Sequence, residues 1–335
     1  MLSIEQLKKY FRGYIGIGEP LANLTTFKIG GPADFYFEPA DTGDLTVLVN
    51  LLEENEFPFV MIGNGSNILV SDFGYRGAAI NIEGGLSNCE FDGEFVKAGA
   101  GLKLAKFVDF CIEKGLHGVE MLAGIPGTLG GAIAMNAGAY GGAISDYLVE
   151  IEVIRKGELK KMLREVAVFG YRYSSFQDDI VVGATFKFPN GDISEMKRVR
   201  RELLLRRNEG QSVELPNAGS IFKNPVMNSA GRLIENCGLK GLRIGNAEIS
   251  QKHANFIVNL GSASAVDVLQ LICKVQEKVH AKSGVMLELE VKLVGVFSDE
   301  NFAHFHDDGI NSRGSGQSQR PVKIHSIDKL TSREV

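Results

Sequence analysis

Apolar residues recur along this chain with two periods, and the change of period marks its elements. Leu45, Leu48, Val49 and Leu52 share one stripe at helical spacing, which predicts a helix over Asp44 to Glu54. The same pattern predicts a short amphipathic helix over residues 3–12, with Ile4, Leu7 and Phe11 on one face. It predicts another over Leu102 to Glu113 that stops at Gly115, and a long one over Val266 to Lys282 closed by Gly284. In the long helix Val268, Leu271, Ile272, Val275 and Val279 form the stripe. Glu195 to Asn208 is helical but basic, and Arg198, Arg200, Arg201, Arg206 and Arg207 read as a solvated face. Period-two alternation runs through VMLELEVKLVGVF. Val285, Leu287, Leu289, Val291 and Leu293 face one way, while Glu288, Glu290 and Lys292 face the other, as in a strand with one wet face. Short strands are also expected at 78–82, 95–100, 149–155 and 180–188, with a buried one at Phe59 to Ile62. Asn23 to Pro39 reads as two short strands joined by a turn at Gly30-Gly31-Pro32.

Two glycine-rich segments interrupt these patterns. Gly118 to Asp146 is almost free of charge and carries one proline, unlike a polar linker. Glycine lets backbone N–H groups approach a ligand closely, and successive N–H groups in such turns cradle a phosphate. Tight packing of small residues explains the composition equally well. The spacing of Gly124 to Gly131 fits neither the P-loop nor the dinucleotide Gly-x-Gly-x-x-Gly fingerprint. The second segment, GNGSN at 63–67, follows an apolar strand directly. It reads either as a ligand cradle rich in donors or as a plain turn.

Composition narrows the class. The chain has 335 residues, 44% hydrophobic and 23% charged, which is globular and long enough for two or three domains. A net charge of -5 gives no reason to expect nucleic acid. Cys89, Cys111, Cys237 and Cys273 lie far apart, so free thiols in a reducing compartment are expected, with Cys111 and Cys273 in the core. No zinc spacing appears, and no metal is expected. The N-terminus lacks the apolar core of a signal peptide and no segment is long and apolar enough to span a membrane, so a cytoplasmic protein is expected. Residues 298–335 are polar and read as a flexible tail.

Eight motifs in order carry a resemblance over about residues 20–297. They are NLTTFKIGGP (23–32), GNGSN (63–67), AGIPGTLGGA (123–132), NAGAYG (136–141), GYRYSSF (170–176), AGSIFKNP (218–225), KHANFIVN (252–259) and LELEV (287–291). In these the chain resembles the UDP-N-acetylenolpyruvoylglucosamine reductases, flavoenzymes of bacterial peptidoglycan precursor synthesis. The resemblance implies an α+β chain with a vanillyl-alcohol-oxidase-type (PCMH-type) FAD-binding fold of two subdomains, 1–76 and 77–209. A C-terminal α+β substrate domain, 210–297, and the 298–335 tail would follow. It implies non-covalent FAD, NADPH as hydride donor, UDP-N-acetylglucosamine enolpyruvate as substrate and UDP-N-acetylmuramate as product. Small molecules would be the partners of an expected monomer.

The same resemblance assigns residues. Gly63, Asn64, Gly65, Ser66 and Asn67, with Gly124, Ile125, Pro126, Gly127, Thr128, Gly130 and Gly131, would cradle the FAD pyrophosphate. Asn23, Thr25, Thr26, Asn136, Gly138, Ala139 and Tyr140 would line the rest of the flavin site. Ser220 matches the proton donor, Arg172 the arginine that neutralises the substrate carboxylate, and Glu290 the glutamate working beside it. Taken alone these would be a turn serine, a surface charge and a wet strand residue. Tyr140, Lys223 and Asn224 match substrate-binding positions. The interval between Arg172 and Ser220 is too short for the substrate-capping tyrosine loop of the longer members, so the chain resembles the shorter subclass. Arg232 or Arg243 would then reach the diphosphate. Two other readings stay open. One is an alcohol oxidase of the same superfold; many of these attach flavin covalently through His or Cys, and no such residue is obvious here, though His117 sits close by in sequence. The other is a non-catalytic flavin or nucleotide-sugar sensor.

Overall fold

The computed structural model describes residues 4–211 and 214–297. The expected polar tail lies outside the described residues. The first sheet has the strand order β1 (Tyr14–Pro20), β2 (Pro32–Glu38), β5 (Tyr75–Ile80), β3 (Phe59–Met61). β1 and β2 are antiparallel, and β5 runs parallel to both β2 and β3. Helix α1 (Ile4–Tyr10) precedes it, and Leu7 and Phe11 are buried as the spacing requires. Helix α2 (Thr42–Glu54) starts where the Asp41 carboxylate accepts from the Asp44 N–H. Its stripe, Leu45, Leu48, Val49 and Leu52, is fully buried in one cluster with Phe37, Ala78 and Ile80.

The second sheet is antiparallel throughout, in the order β11 (Glu158–Leu163), β10 (Leu148–Arg155), β14 (Ile180–Phe186), β7 (Val96–Gly99), β6 (Cys89–Phe91). Helix α3 (Leu104–Glu113) supplies Leu104, Phe107, Val108 and Cys111 to the same cluster, with the Phe107 ring 5.0 Å from that of Phe186. Strand β5 passes through residue 76 and the cluster is continuous beyond it, so the segments on either side share a strand and a core.

A separate core holds helices α6 (Ala230–Asn236) and α7 (Ala265–Ser283) against β15 (Arg243–Ile244), β16 (Ala247–Ile249) and β17 (Ile257–Asn259). Helix α7 has the expected stripe, a Ser264–Asp267 capping box and left-handed Gly284 at its end. This region is joined to the N-terminal part by backbone and side-chain links. β18 (Lys292–Val294) pairs in parallel with β4 (Ile68–Val70). The Asp72 carboxylate accepts from Ala265 N at 2.8 Å, the Asn259 amide donates to Phe27 O at 3.0 Å, and the Thr26 hydroxyl donates to Asn217 O at 2.7 Å.

Several expectations are corrected. Asn23 to Ile29 is no strand: a 3₁₀ turn at Leu21–Leu24 leads into irregular chain, and the antiparallel partner of β2 is β1. Gly30 sits at φ +139°, and a Cβ there would lie 2.7 Å from Val70, so the chain turns where only glycine fits. The strand at Phe59 is half-buried, because β3 is an edge. Residues 285–291 keep alternating burial at Leu287 and Val291 but form only an isolated bridge, Leu289 to Phe222; the ladder begins at Lys292. Cys273 is half-buried, not core, although all four cysteines are free. The basic helix, α5 (Ile193–Gly210), is not a wholly solvated face. Arg200 pairs with Asp109 of α3 at 2.7 Å, and Arg207 is partly buried.

Candidate functional site

The GNGSN loop links β3 to β4 and is the point where the expected site residues meet. Ser66 Oγ donates to Pro126 O at 3.2 Å, joining the two glycine-rich segments. Thr26 N donates to Gly65 O at 3.2 Å. Gly65 has φ +60°, and a Cβ on it would lie 2.2 Å from Leu24 O. A Cβ on Gly63 would lie 2.5 Å from Thr128 Oγ1. The backbones of residues 24–26, 63–67 and 124–131 therefore approach as closely as the absence of side chains permits. Asn67, last in the loop, donates its amide to Glu290 O at 3.1 Å and accepts from Lys292 N at 2.9 Å.

Arg172, Glu290 and Ser220 come from three different elements. Arg172 occupies the tip of the hairpin β12 (Phe169–Gly170) and β13 (Tyr173–Ser174) with φ +55°, unusual for a residue with a Cβ. Its Nε donates to Glu290 Oε1 at 2.5 Å, with the two side chains 23% and 12% exposed. Glu290 N donates to Ile221 O at 2.8 Å, so the Ser220 turn runs alongside the glutamate. That turn is shaped by Gly219 at φ +74° and held by Asn255, whose carbonyl and amide bond to the backbones of Ile221 and Phe222. The Ser220 hydroxyl has no hydrogen-bond partner among the described residues. Burial pushes the Glu290 carboxyl above its ordinary pKa, against the opposing pull of Arg172 and Lys223. The result is a cation paired with a carboxyl whose pKa burial pushes upward, on a segment bonded to the turn that carries Ser220. Such a set can hold a carboxylate and protonate a neighbouring carbon.

The other expected residues divide. Tyr140 stands at the tip of the hairpin β8 (Gly138–Ala139) and β9 (Gly142–Ala143), with its hydroxyl donating to Leu203 O at 3.2 Å. Asn136 donates to Gly170 O at 2.9 Å, and its buried Oδ1 has no partner. Lys223 lies 3.6 Å from Glu288, and Asn224 Oδ1 accepts from Ala230 N. Asn23 is exposed, while Thr25 is buried with its hydroxyl on the Ala22 and Ile29 carbonyls. Gly130 is buried against Ala100, whereas Gly131, one residue on in α4 (Leu129–Ala134), is exposed. Arg243 bonds within its own turn, to Gly245 O and Asn246 Oδ1. Arg232 is exposed. His117 faces Glu120 at 2.7 Å.

Sequence reading missed Tyr171 and Arg207. The Tyr171 ring centroid is 5.0 Å from the Arg172 guanidinium, and its hydroxyl accepts from Asn224 N. Arg207 lies along Gly124, its Cδ 2.8 Å from where a Cβ would stand, and makes no ion pair among the described residues. Burial and the nearby Arg172 both disfavour its charge. The signal was present: Met196, Arg200, Leu204 and Arg207 share one helical stripe. A partly buried unpaired guanidinium and a buried orphan acceptor at Asn136 fit a polar, anionic cofactor. Among the described residues no group of acidic, His or Cys side chains could hold a metal, and no helix is long and apolar enough to cross a membrane.

Two family profiles match separate parts of the chain. Residues 33–162 match the profile of an FAD binding domain, and residues 211–294 match that of the UDP-N-acetylenolpyruvoylglucosamine reductase C-terminal domain. The reductase of that name from Chloroherpeton thalassium is 44% identical over 306 residues, covering 88% of this chain and 98% of that one. Its counterpart from Geobacter metallireducens is 44% identical over 291 residues, covering 87% and 97%. The crystal structure of UDP-N-acetylenolpyruvylglucosamine reductase from Thermus caldophilus superposes with a TM-score of 0.74 at 37% identity, over 85% of this chain and all of that one.

Proposed function

The chain belongs to the UDP-N-acetylenolpyruvoylglucosamine reductase family, and on that premise we propose how its residues divide the reaction. It is an FAD-dependent oxidoreductase that uses NADPH to reduce the enolpyruvyl ether of UDP-N-acetylglucosamine to UDP-N-acetylmuramate, in peptidoglycan precursor synthesis. Bound FAD supplies the hydride relay from NADPH to the vinyl carbon of the substrate.

The protein's own groups handle binding and charge. Residues 63–66 and the 124–131 loop would cradle the cofactor's pyrophosphate, and Arg207, which lies along Gly124, would offset its charge. Asn136 offers its orphan acceptor to the cofactor. Arg172 holds the substrate carboxylate, which becomes enolic as hydride adds to the conjugated double bond. Glu290, protonated or sharing a proton, hydrogen-bonds that enolic carboxylate. Ser220 then donates its proton to the neighbouring carbon; a hydroxyl is a weak acid, but the carbon it meets is strongly basic. Lys223, Asn224 and Tyr140 bind the rest of the substrate, and the enzyme acts as a monomer on small molecules.

The Arg172–Glu290 pair, on a segment bonded to the Ser220 turn, carries this reading. An alcohol oxidase or a sensor of the same fold has no need of it. Anaerobic stopped-flow near the flavin band tests it. NADPH should bleach both wild type and Ser220→Ala, and the enolpyruvyl substrate should restore the colour of the wild type alone at speed. Equal loss of both half-reactions in Ser220→Ala would sink the proton-donor role.

A further inference from the structure

We infer that Asn67 is a positioning residue, which suspends the segment bearing Glu290 from the flavin loop and so fixes the carboxyl between Arg172 and the Ser220 turn. This rests on the role proposed above for Glu290. Sequence reading grouped Asn67 with the cofactor contacts, but its polar groups point elsewhere. Its side-chain amide donates to Glu290 O at 3.1 Å, while its backbone carbonyl accepts from Lys292 N at 2.9 Å. The two bonds flank Val291, which is buried.

The support matters because Glu290 lies outside regular structure. The ladder with β4 starts at Lys292, immediately after it. Upstream, the segment is tied to the other side, with Lys223 N donating to Glu288 O and both Glu290 N and Val291 N directed to Ile221 O. Glu290 is therefore held from one side by the turn bearing the proton donor and from the other by the loop bearing the cofactor. Removing the Asn67 amide would orphan one carbonyl and free the segment to move toward the turn. Misplacing a reacting group by about 1 Å can cost on the order of 10²-fold in rate. The link needs a donor on a short arm. Asparagine supplies one, whereas an ionised aspartate only accepts and would face the Glu290 carbonyl with a like partial charge.

The test uses the FAD-loaded enzyme and single-turnover half-reactions of Asn67→Ala, Asn67→Ser, Asn67→Asp and Glu290→Gln. Asn67→Ala is expected to retain stoichiometric FAD and to be reduced by NADPH within about threefold of wild type. Its reoxidation by the enolpyruvyl substrate should fall about 10–100-fold, and the pH midpoint of that step should move, because the Glu290 pKa depends on its distance from Arg172. Asn67→Ser, which keeps a donor, should recover part of the rate, and Asn67→Asp, of the same size but without that donor, serves in place of the alanine variant if that one does not fold. Adding Asn67→Ala to Glu290→Gln should cost little more than Glu290→Gln alone, the non-additivity of a residue that acts through another. Loss of FAD with both half-reactions slowed equally would make Asn67 a cofactor contact and overturn the inference, as would fully multiplicative losses. An unimpaired Glu290→Gln would instead remove the catalytic role of Glu290 itself.

Discussion

Arg172 and Glu290 are 118 residues apart in sequence, and their side chains meet at 2.5 Å. An arginine partner ordinarily lowers a carboxyl pKa, yet here burial outweighs it and the net direction is upward. Only Nε of the guanidinium bonds to Glu290, which leaves donors for a second carboxylate. Lysine in its place would keep the charge but lose the fork that can serve Glu290 and substrate together. Arg172→Lys is expected to slow reoxidation by the enolpyruvyl substrate about 10²–10³-fold, as removal of one oxyanion donor does, with NADPH reduction little changed. Single-turnover traces of the two half-reactions check this.

The backbone at Arg172 is as informative as its side chain. A φ of +55° costs a residue with a Cβ on the order of 1–2 kcal/mol. Arg172→Gly and Arg172→Ala remove the same guanidinium, but only glycine relieves the backbone. Both should be inactive, and the glycine variant should be more stable than the alanine variant by about 1 kcal/mol. Urea melts of the two side by side decide it; equal midpoints would show that the tip carries no strain.

Glu290 also ties stability to pH. Its folded pKa lies above the ordinary 4.5, so across the window from that value upward the folded state binds more protons than the unfolded state. Stability from this group is present below the window and is lost as pH rises through it. Glu290→Gln should remove this loss. The variant's stability relative to wild type should rise between pH 4 and neutrality and level off once the folded carboxyl ionises. Chemical denaturation of both proteins at several pH values measures the difference, and a difference that falls as pH rises would contradict an upward-shifted Glu290.

The elements best read from sequence were those whose periodicity is satisfied by one neighbour. Helices α2, α3 and α7 each bury the stripe their spacing announces. The failures have separate causes. β1 pairs with β2 through an alternation interrupted by Gly16 and Gly18, and β18 finds β4 more than 200 residues away. Arg207 was read as solvated because its charge outweighed its place on the stripe with Met196. Within the site, the glycine segments announced a cradle, but not what filled it. Arg172 and Glu290 carry no local mark of function: one sits on a two-residue turn, the other in an alternating run. Only the resemblance to a family brought them together, and only coordinates reveal that Asn67 reaches Glu290.

Gly130 and Gly131 provide an internal comparison for the cradle. A Cβ on Gly130 would stand 2.8 Å from the Ala100 Cβ in the core, so Gly130→Ala should destabilise the fold whether or not cofactor is bound. A Cβ on Gly131 would stand 3.5 Å from Thr128 Oγ1, an ordinary contact, on an exposed and regular helical backbone. The protein alone has no reason to reject alanine there, and helix propensity favours it by about 0.5–1 kcal/mol. The apo form of Gly131→Ala should therefore melt at or slightly above wild type. If the pyrophosphate lies across this turn, the added methyl meets it, and an overpacked contact of about 1–3 kcal/mol weakens FAD about tenfold or more. The readouts are the melting temperature of the stripped protein and the FAD dissociation constant from flavin fluorescence. Wild-type affinity in Gly131→Ala would place the cofactor elsewhere than over residues 124–131. Loss of affinity with undiminished apo stability is the outcome that only a ligand above Gly131 produces.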